Sequence, residues 1–196
     1  MPCLAMHLAI AKEYLKTHTE ENKEEFILGT IAPDINIENI NKYINGVEGD
    51  KNSHHFGENY NTSDAIEYMK RKINFQKFFN SNDLSTSFLR AYFLHLICDY
   101  KFFGEYITKD DIKGITIDEI KEKGYDDYNR ITPKIIEKYD LEIPEKIKDI
   151  ILGFSNGEIE IINEEKVYKF IQDMSFIDLE KFKNKECSSW KEDMQK

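Results

Sequence analysis

His95 and Asp99 stand four residues apart in FLHLICDY, residues 93 to 100, inside an otherwise apolar run. In a helix that spacing stacks an imidazole and a carboxylate on one face, where they can meet a shared ion or each other. Imidazole nitrogen and carboxylate oxygen together form the donor set of metal sites that keep a position open for water. Three more places carry the same residue types: His7 in the first apolar stretch, Asp34 after Ala32-Pro33, and the pair His54 and His55 in a Gly- and Asn-rich segment. All of them precede residue 100. Each also has a plainer role. His7 alone reads equally as a core histidine, Asp34 as a turn or cap residue, and His54-His55 as a solvated pair. His95 and Asp99 could be a buried hydrogen-bonded pair that joins helices.

The elements that must position these residues read as helices. Leu4, Leu8, Ala11 and Leu15 recur at helical spacing, predicting a first helix over residues 4 to 18 with His7 beside its apolar stripe. EEFILGTIAPD predicts a short helix that closes at Ala32-Pro33-Asp34, because a proline biases the residue before it away from the α region. Residues 35 to 60 are rich in Asn, Gly and Asp and read mostly as loop. Ser63 to Phe79 suits a helix. Asn82 or Asp83 can cap the next one, through LSTSFLRAYFLHLICDYKFFGEYI, which is apolar nearly all round and so reads as central. Beyond it, TIDE at Thr116 to Glu119 has the capping-box form, Pro144 fits a helix's first turn, and Asn163 can cap EEKVYKFIQDM. Only GEIEIIN suggests a brief extended piece. The class expected is all-α: a compact multi-helix bundle around a central apolar helix that carries the HxxxD pair, forming one domain over residues 1 to 196.

Composition narrows the function classes. The 27 Lys and Arg against 37 Asp and Glu leave a formal charge of -10, which argues against broad binding to a phosphate backbone. Cys3, Cys98 and Cys187 are odd in number and lack CxxC spacing, so neither a disulfide framework nor a zinc knuckle is suggested. Cys98 reads as a small buried hydrophobe. MPCLAMHLAIAKEYL has no basic n-region and is interrupted by Lys12 and Glu13, and no segment approaches the apolar length of a membrane span. A cytoplasmic location is expected. The charged tail containing Trp190 reads as solvated.

MPCLAMHLAIAKEYL, FILGTIAPD, NSHHF and FLHLICD, in that order and at these separations, resemble the bacterial zinc-dependent phospholipase C family, which shares its fold with fungal single-strand nucleases. YDDYNRITPKIIEKYDL and VYKFIQDMS resemble its small cytoplasmic members, so the likeness spans nearly the whole chain. The resemblance implies that Asp34, His55, His95 and Asp99 bind one metal ion, with His7 sharing Asp99 as ligand of a second. His55 is preferred to His54 because the family motif reads His-Phe, here His55-Phe56. Two departures matter. The secreted enzymes begin with a tryptophan whose amine and carbonyl ligate metal, where this chain begins Met-Pro, and they draw later histidines that this chain lacks after His95. One zinc ion, or two, is therefore expected rather than three, with iron or manganese also compatible with the donors.

The activity expected is metal-dependent hydrolysis of a phosphodiester, small-molecule or lipid, with Asp34 orienting or deprotonating the attacking water. Tyr100, Phe102, Phe103 and Tyr106 could line an apolar rim for a lipid, although aromatics at that spacing are more often core. A non-catalytic metal site on the same fold is the alternative. An HD-type phosphohydrolase is disfavoured because its adjacent His-Asp dipeptide is absent.

Overall fold

The computed structural model describes residues 3 to 34, 73 to 143 and 162 to 184. Among them every regular element is helical, as the apolar periodicity predicts. In chain order these are α1 (Leu4–Thr17), α2 (Lys23–Ile31), α3 (Phe75–Ser81), α4 (Ser87–Lys101), α5 (Ile117–Lys138) and α6 (Glu164–Met174). A tight 3-10 turn, Ala32–Asp34, follows α2, and a wide π turn, Phe102–Tyr106, follows α4.

The helix starts obey local chemistry. Asn22, Asn74, Thr86 and Asn163 each accept a backbone N–H with their side-chain oxygen at the head of α2, α3, α4 and α6. Thr116 and Glu119 close the reciprocal capping box of α5. Two boundaries differ from those expected. The cap of α4 is Thr86, because Asp83 is engaged in a local turn in which its Oδ1 accepts the Ser85 N–H at 2.9 Å. No single helix reaches Phe79 from Ser63, since Ile73 and Asn74 are not helical and Asn74 caps a new start. His54, His55, residues 63 to 72, Pro144, most of GEIEIIN, Cys187 and Trp190 lie outside the described residues.

Two helices form the centre. Leu4 to Ala11 are buried without interruption, and in α4 the run Phe93 to Asp99 is buried likewise. A helix apolar on every side belongs inside, and the remaining elements cover these two. In α6, Val167, Phe170, Ile171 and Met174 make one buried stripe at helical spacing. Phe93 anchors an aromatic cluster with Phe75, Phe78 and Phe79 at centroid separations of 5.5, 5.7 and 4.8 Å. Each such pair adds about 0.5–1.5 kcal/mol beyond the area it buries. At the head of α4, the Arg90 guanidinium grips buried Glu20 through Nε at 2.9 Å and Nη2 at 2.6 Å, and donates to the Leu84 carbonyl. That clamp ties the α1–α2 connection to α4.

Helix α2 packs backbone against backbone on α4 at Gly29. A methyl group added at Gly29 would lie 2.3 Å from the Phe88 carbonyl oxygen and 3.0 Å from the Ala91 Cβ, both on α4. Backbone cannot yield there as a flexible side chain would. Gly29 is thus the residue that lets the end of α2, with Thr30, reach α4. Gly29→Ala should lower unfolding stability by about 2–3 kcal/mol through overpacking, read as a shifted urea midpoint. Gly124→Ala is the control: in α5 an added methyl meets nothing within 4 Å, and the change should raise stability by about 0.5–1 kcal/mol through helix propensity.

Candidate metal centre

Three elements converge on one buried point. The first turn of α1 brings His7, the turn closing α2 brings Asp34, and the last turns of α4 bring His95 and Asp99. His7 and His95 are fully buried, the Asp99 side chain is 2% exposed, and Asp34 alone of the four keeps 11% of its side chain in solvent. Asp34 is thus the least enclosed of the four.

The two imidazoles stack face to face, with centroids 3.7 Å apart and planes 10° from parallel. Asp99 lies across their edges: Oδ1 is 3.3 Å from His7 Nε2, and Oδ2 is 3.5 Å from His95 Nε2. Asp34 sits farther out, its Oδ2 3.9 Å from His7 Nε2 and its Oδ1 3.9 Å from His95 Nε2. His7, His95 and Asp99 each offer an atom within 4.8 Å of the others, a group compact enough to hold a metal ion. Around an ion with bonds of about 2.0–2.2 Å, tetrahedral ligand atoms stand about 3.3–3.6 Å apart. The Asp99 separations fall in that range.

His95 is oriented from behind. Its Nδ1 donates to the Thr30 carbonyl at 2.7 Å. A carbonyl only accepts, so Nδ1 carries the proton and the neutral ring presents its Nε2 lone pair to the cluster. This is the arrangement in which a metal-ligating histidine is fixed by a backbone oxygen. Thr30 stands in the last turn of α2, where carbonyls lack helical partners and gather partial negative charge. His7 has no such anchor: both ring nitrogens are buried without a hydrogen bond, and it is the stack on His95 that sets its plane. Both Asp99 oxygens are also buried without a hydrogen bond, since their approaches to the imidazoles are close but not lined up as such.

An ionised carboxylate in that position needs positive charge. Burial would raise the Asp99 pKa, but His95 first and His7 second outweigh it and hold the group well below the usual carboxylate range. Burial pulls His95 down, yet Asp99 and then Asp34 push harder and leave it above its ordinary 6.5. His7 is lowered, by burial and by repulsion from His95. Asp34 is raised, chiefly by burial. The four groups thus share charge unequally: Asp99 keeps the negative charge and His95 competes best for a proton.

Of the five ligands predicted from sequence, His7, Asp34, His95 and Asp99 come together, and His55 lies outside the described residues with His54. His18, the remaining histidine, caps the end of α1 and stacks on Tyr14 at 3.9 Å, away from the cluster. Cys98 is fully buried, and burial pushes its thiol well above the ordinary value. Phe102 is core, and Tyr106 packs edge-on to Phe170 at 4.7 Å with its hydroxyl donating to Asp173. One participant and one buried polar neighbour were not identified from sequence. Thr30 acts through its backbone, which no side-chain pattern reports. Tyr128 stands among the buried positions Tyr128, Ile131, Thr132 and Ile135 of α5, a spacing that marks a core-facing stripe but not a polar role.

No family model, no curated protein and no solved structure matches the chain. Among the described helices none is long and apolar enough to cross a membrane.

The charge sharing has a pH signature in the metal-free protein. A raised His95 pKa contributes stability that is complete below the ordinary 6.5 and is lost as pH rises through the folded value. A depressed Asp99 contributes above 3.8 and is lost as pH falls through its folded value. The pair therefore stabilises most between those two ordinary values. Ring-proton NMR should find His95 titrating above 6.5 and His7 below it. Asp99→Asn should move the His95 midpoint down, and an unmoved midpoint would show that Asp99 does not set it.

Proposed function

We propose that this chain is a metal-dependent phosphoric ester hydrolase of the bacterial zinc-dependent phospholipase C type. The carrying observation is the buried carboxylate of Asp99, without a hydrogen bond, set between two imidazole Nε2 atoms at 3.3 and 3.5 Å. A buried anion so placed leaves a cation as its natural partner, and the His and Asp donors suit zinc, with iron or manganese also compatible. His7, His95 and Asp99 would hold the ion, with Asp34 beside them. Charge favours a single ion: one divalent cation neutralises the two carboxylates Asp34 and Asp99, while a second would need an added anion.

A bound zinc would polarise a phosphoryl oxygen and bring the pKa of a water molecule from about 15.7 to about 7. The chain supplies the rest. Asp34 stands at the open edge, and a carboxylate raised by burial is a better base than a solvated one. Asp34 takes the proton as the water oxygen attacks phosphorus. The phosphorus–oxygen ester bond breaks, and the leaving alkoxide gains a proton from solvent. His95, locked by Thr30, keeps its lone pair on the cluster through this step. The substrate class is a small-molecule or lipid phosphodiester.

A non-catalytic metal site is the second reading, favoured if Asp34 joins His7, His95 and Asp99 as a fourth donor, the number that closes a structural zinc shell. Exposure at Asp34 and its wider 3.9 Å separations favour the open, catalytic form.

Untagged protein should carry about one equivalent of metal by mass spectrometry, and His95→Ala with Asp99→Ala should lose it. Turnover of a bis(p-nitrophenyl) phosphate panel should fall by about 100-fold or more in Asp34→Asn while metal content stays near one, the range of a lost general base. Metal retained in the double variant would overturn the centre. Stoichiometric metal without turnover of any phosphodiester would leave the structural site as the answer.

A further inference from the structure

Apart from the four-residue cluster, the buried polar atoms without a hydrogen bond among the described residues belong to Tyr128 and Arg130. Tyr128 is 6% exposed, and its hydroxyl oxygen is buried with no hydrogen bond. An unsatisfied buried hydroxyl costs about 1–3 kcal/mol, so a chain that keeps one has a use for it, or a water or a ligand completes it.

Its surroundings place it near α1 and the end of α4, two of the three elements that carry the cluster. One turn further along α5, the Thr132 hydroxyl lies 3.5 Å from Cys3 Sγ. Cys3 stands one turn before His7, whose backbone N–H donates to the Cys3 carbonyl at 3.2 Å. Tyr128 and Thr132, at i and i+4, share one face of α5, so that face meets the start of α1. On its other side the Tyr128 ring lies 6.4 Å, centroid to centroid, from Phe102, three residues beyond Asp99. The phenol is thus bracketed by the His7 end of α1 and the Asp99 end of α4. Electrostatics agree: burial pushes the Tyr128 pKa well up, and Cys3, Asp99, Asp34 and Asp127 add to it in that order. A neutral phenol is a hydrogen-bond donor.

We propose that the Tyr128 hydroxyl donates a hydrogen bond to an oxygen of the phosphoryl group that enters the His7, His95, Asp99 and Asp34 cluster, making Tyr128 a substrate-binding residue. The inference rests on the hydrolase reading and deepens it. An oxyanion placed there is the acceptor that Tyr128 lacks, and burial first, with the acidic neighbours second, favours the protonated, donating form of the phenol.

Cobalt(II) loaded into the full-length protein reports the test by its visible absorption during titration with inorganic phosphate. Tyr128→Phe should load cobalt to the wild-type stoichiometry and bind phosphate about 10-fold more weakly, the loss of one hydrogen bond to a charged group. The same variant, metal-free, should unfold at a urea midpoint no lower than wild type, since it removes only a hydroxyl without a partner. A merely structural tyrosine would give the opposite in the second measurement. Equal phosphate affinity, or a lowered metal-free midpoint, overturns the proposal while leaving the metal centre intact. Cobalt loading lost in Tyr128→Phe alone overturns it too, because the hydroxyl would then serve the ligands. Wild type that takes up no cobalt, or takes it up without binding phosphate, removes the hydrolase reading and this inference with it.

Discussion

The Asp99 carboxylate is the constraint on which the rest of the site depends. Removing an ionised carboxylate from water costs on the order of several kcal/mol even after relaxation, and here neither oxygen recovers a hydrogen bond. Charge has to balance the loss. In the metal-free chain His95 does so by holding a proton more tightly than usual; with a divalent ion in place both imidazoles can stay neutral. A proton and a metal ion would compete for the same lone pair on His95 Nε2, so binding through it would weaken as pH falls.

Holding that carboxylate between two rings requires rigid placement, and the fold provides it from a distance. Gly29 lets α2 lie directly on the backbone of α4 at Phe88. That approach delivers the Thr30 carbonyl to His95 Nδ1, which selects the tautomer and aims Nε2 inward. The stack then aligns His7 with His95, and the turn after α2 sets Asp34 at the rim. A missing methyl group in one helix is therefore linked, through one hydrogen bond and one ring stack, to the geometry of all four donors. A wide turn follows α4, with the Ile107 N–H donating to the Phe102 carbonyl at 2.9 Å. Such turns often mark functional sites, and this one places Phe102 against the ring of Tyr128.

How much of this was legible in the sequence follows from how each feature is encoded. The helices were readable because burial imposes a period: Leu4, Leu8 and Ala11 in α1, and Val167, Phe170, Ile171 and Met174 in α6, repeat with the helical turn. Caps were readable where one side chain does the work, as at Thr116 with Glu119 and at Asn163. Between Asn82 and Thr86 several residues could cap, and a local Asp83–Ser85 turn decided the choice. The i,i+4 pair His95 and Asp99 was visible as a pair, and His7 and Asp34 as residue types. Their convergence depends on how α1, α2 and α4 cross, which no local spacing records. The Thr30 carbonyl leaves no residue-type trace at all, and Tyr128 reads as one more core aromatic until its hydroxyl is found without a partner.

The asymmetry of the cluster separates the work of its members. His7, His95 and Asp99 are enclosed, so their electrostatic interactions act in a low-dielectric setting where one charge is felt strongly by the next. Asp34 stands at the boundary with solvent, at equal 3.9 Å separations from both imidazoles. A carboxylate there can reach water on one side and the cluster on the other. Had all four been equally enclosed, the arrangement would be a closed shell with no approach for a second reactant. Had all four been exposed, Asp99 would need no counter-charge and His95 would have no raised affinity for a proton. On the proposed reading, the gradient from a buried anion to an edge-lying one would join a cation site to a route for water.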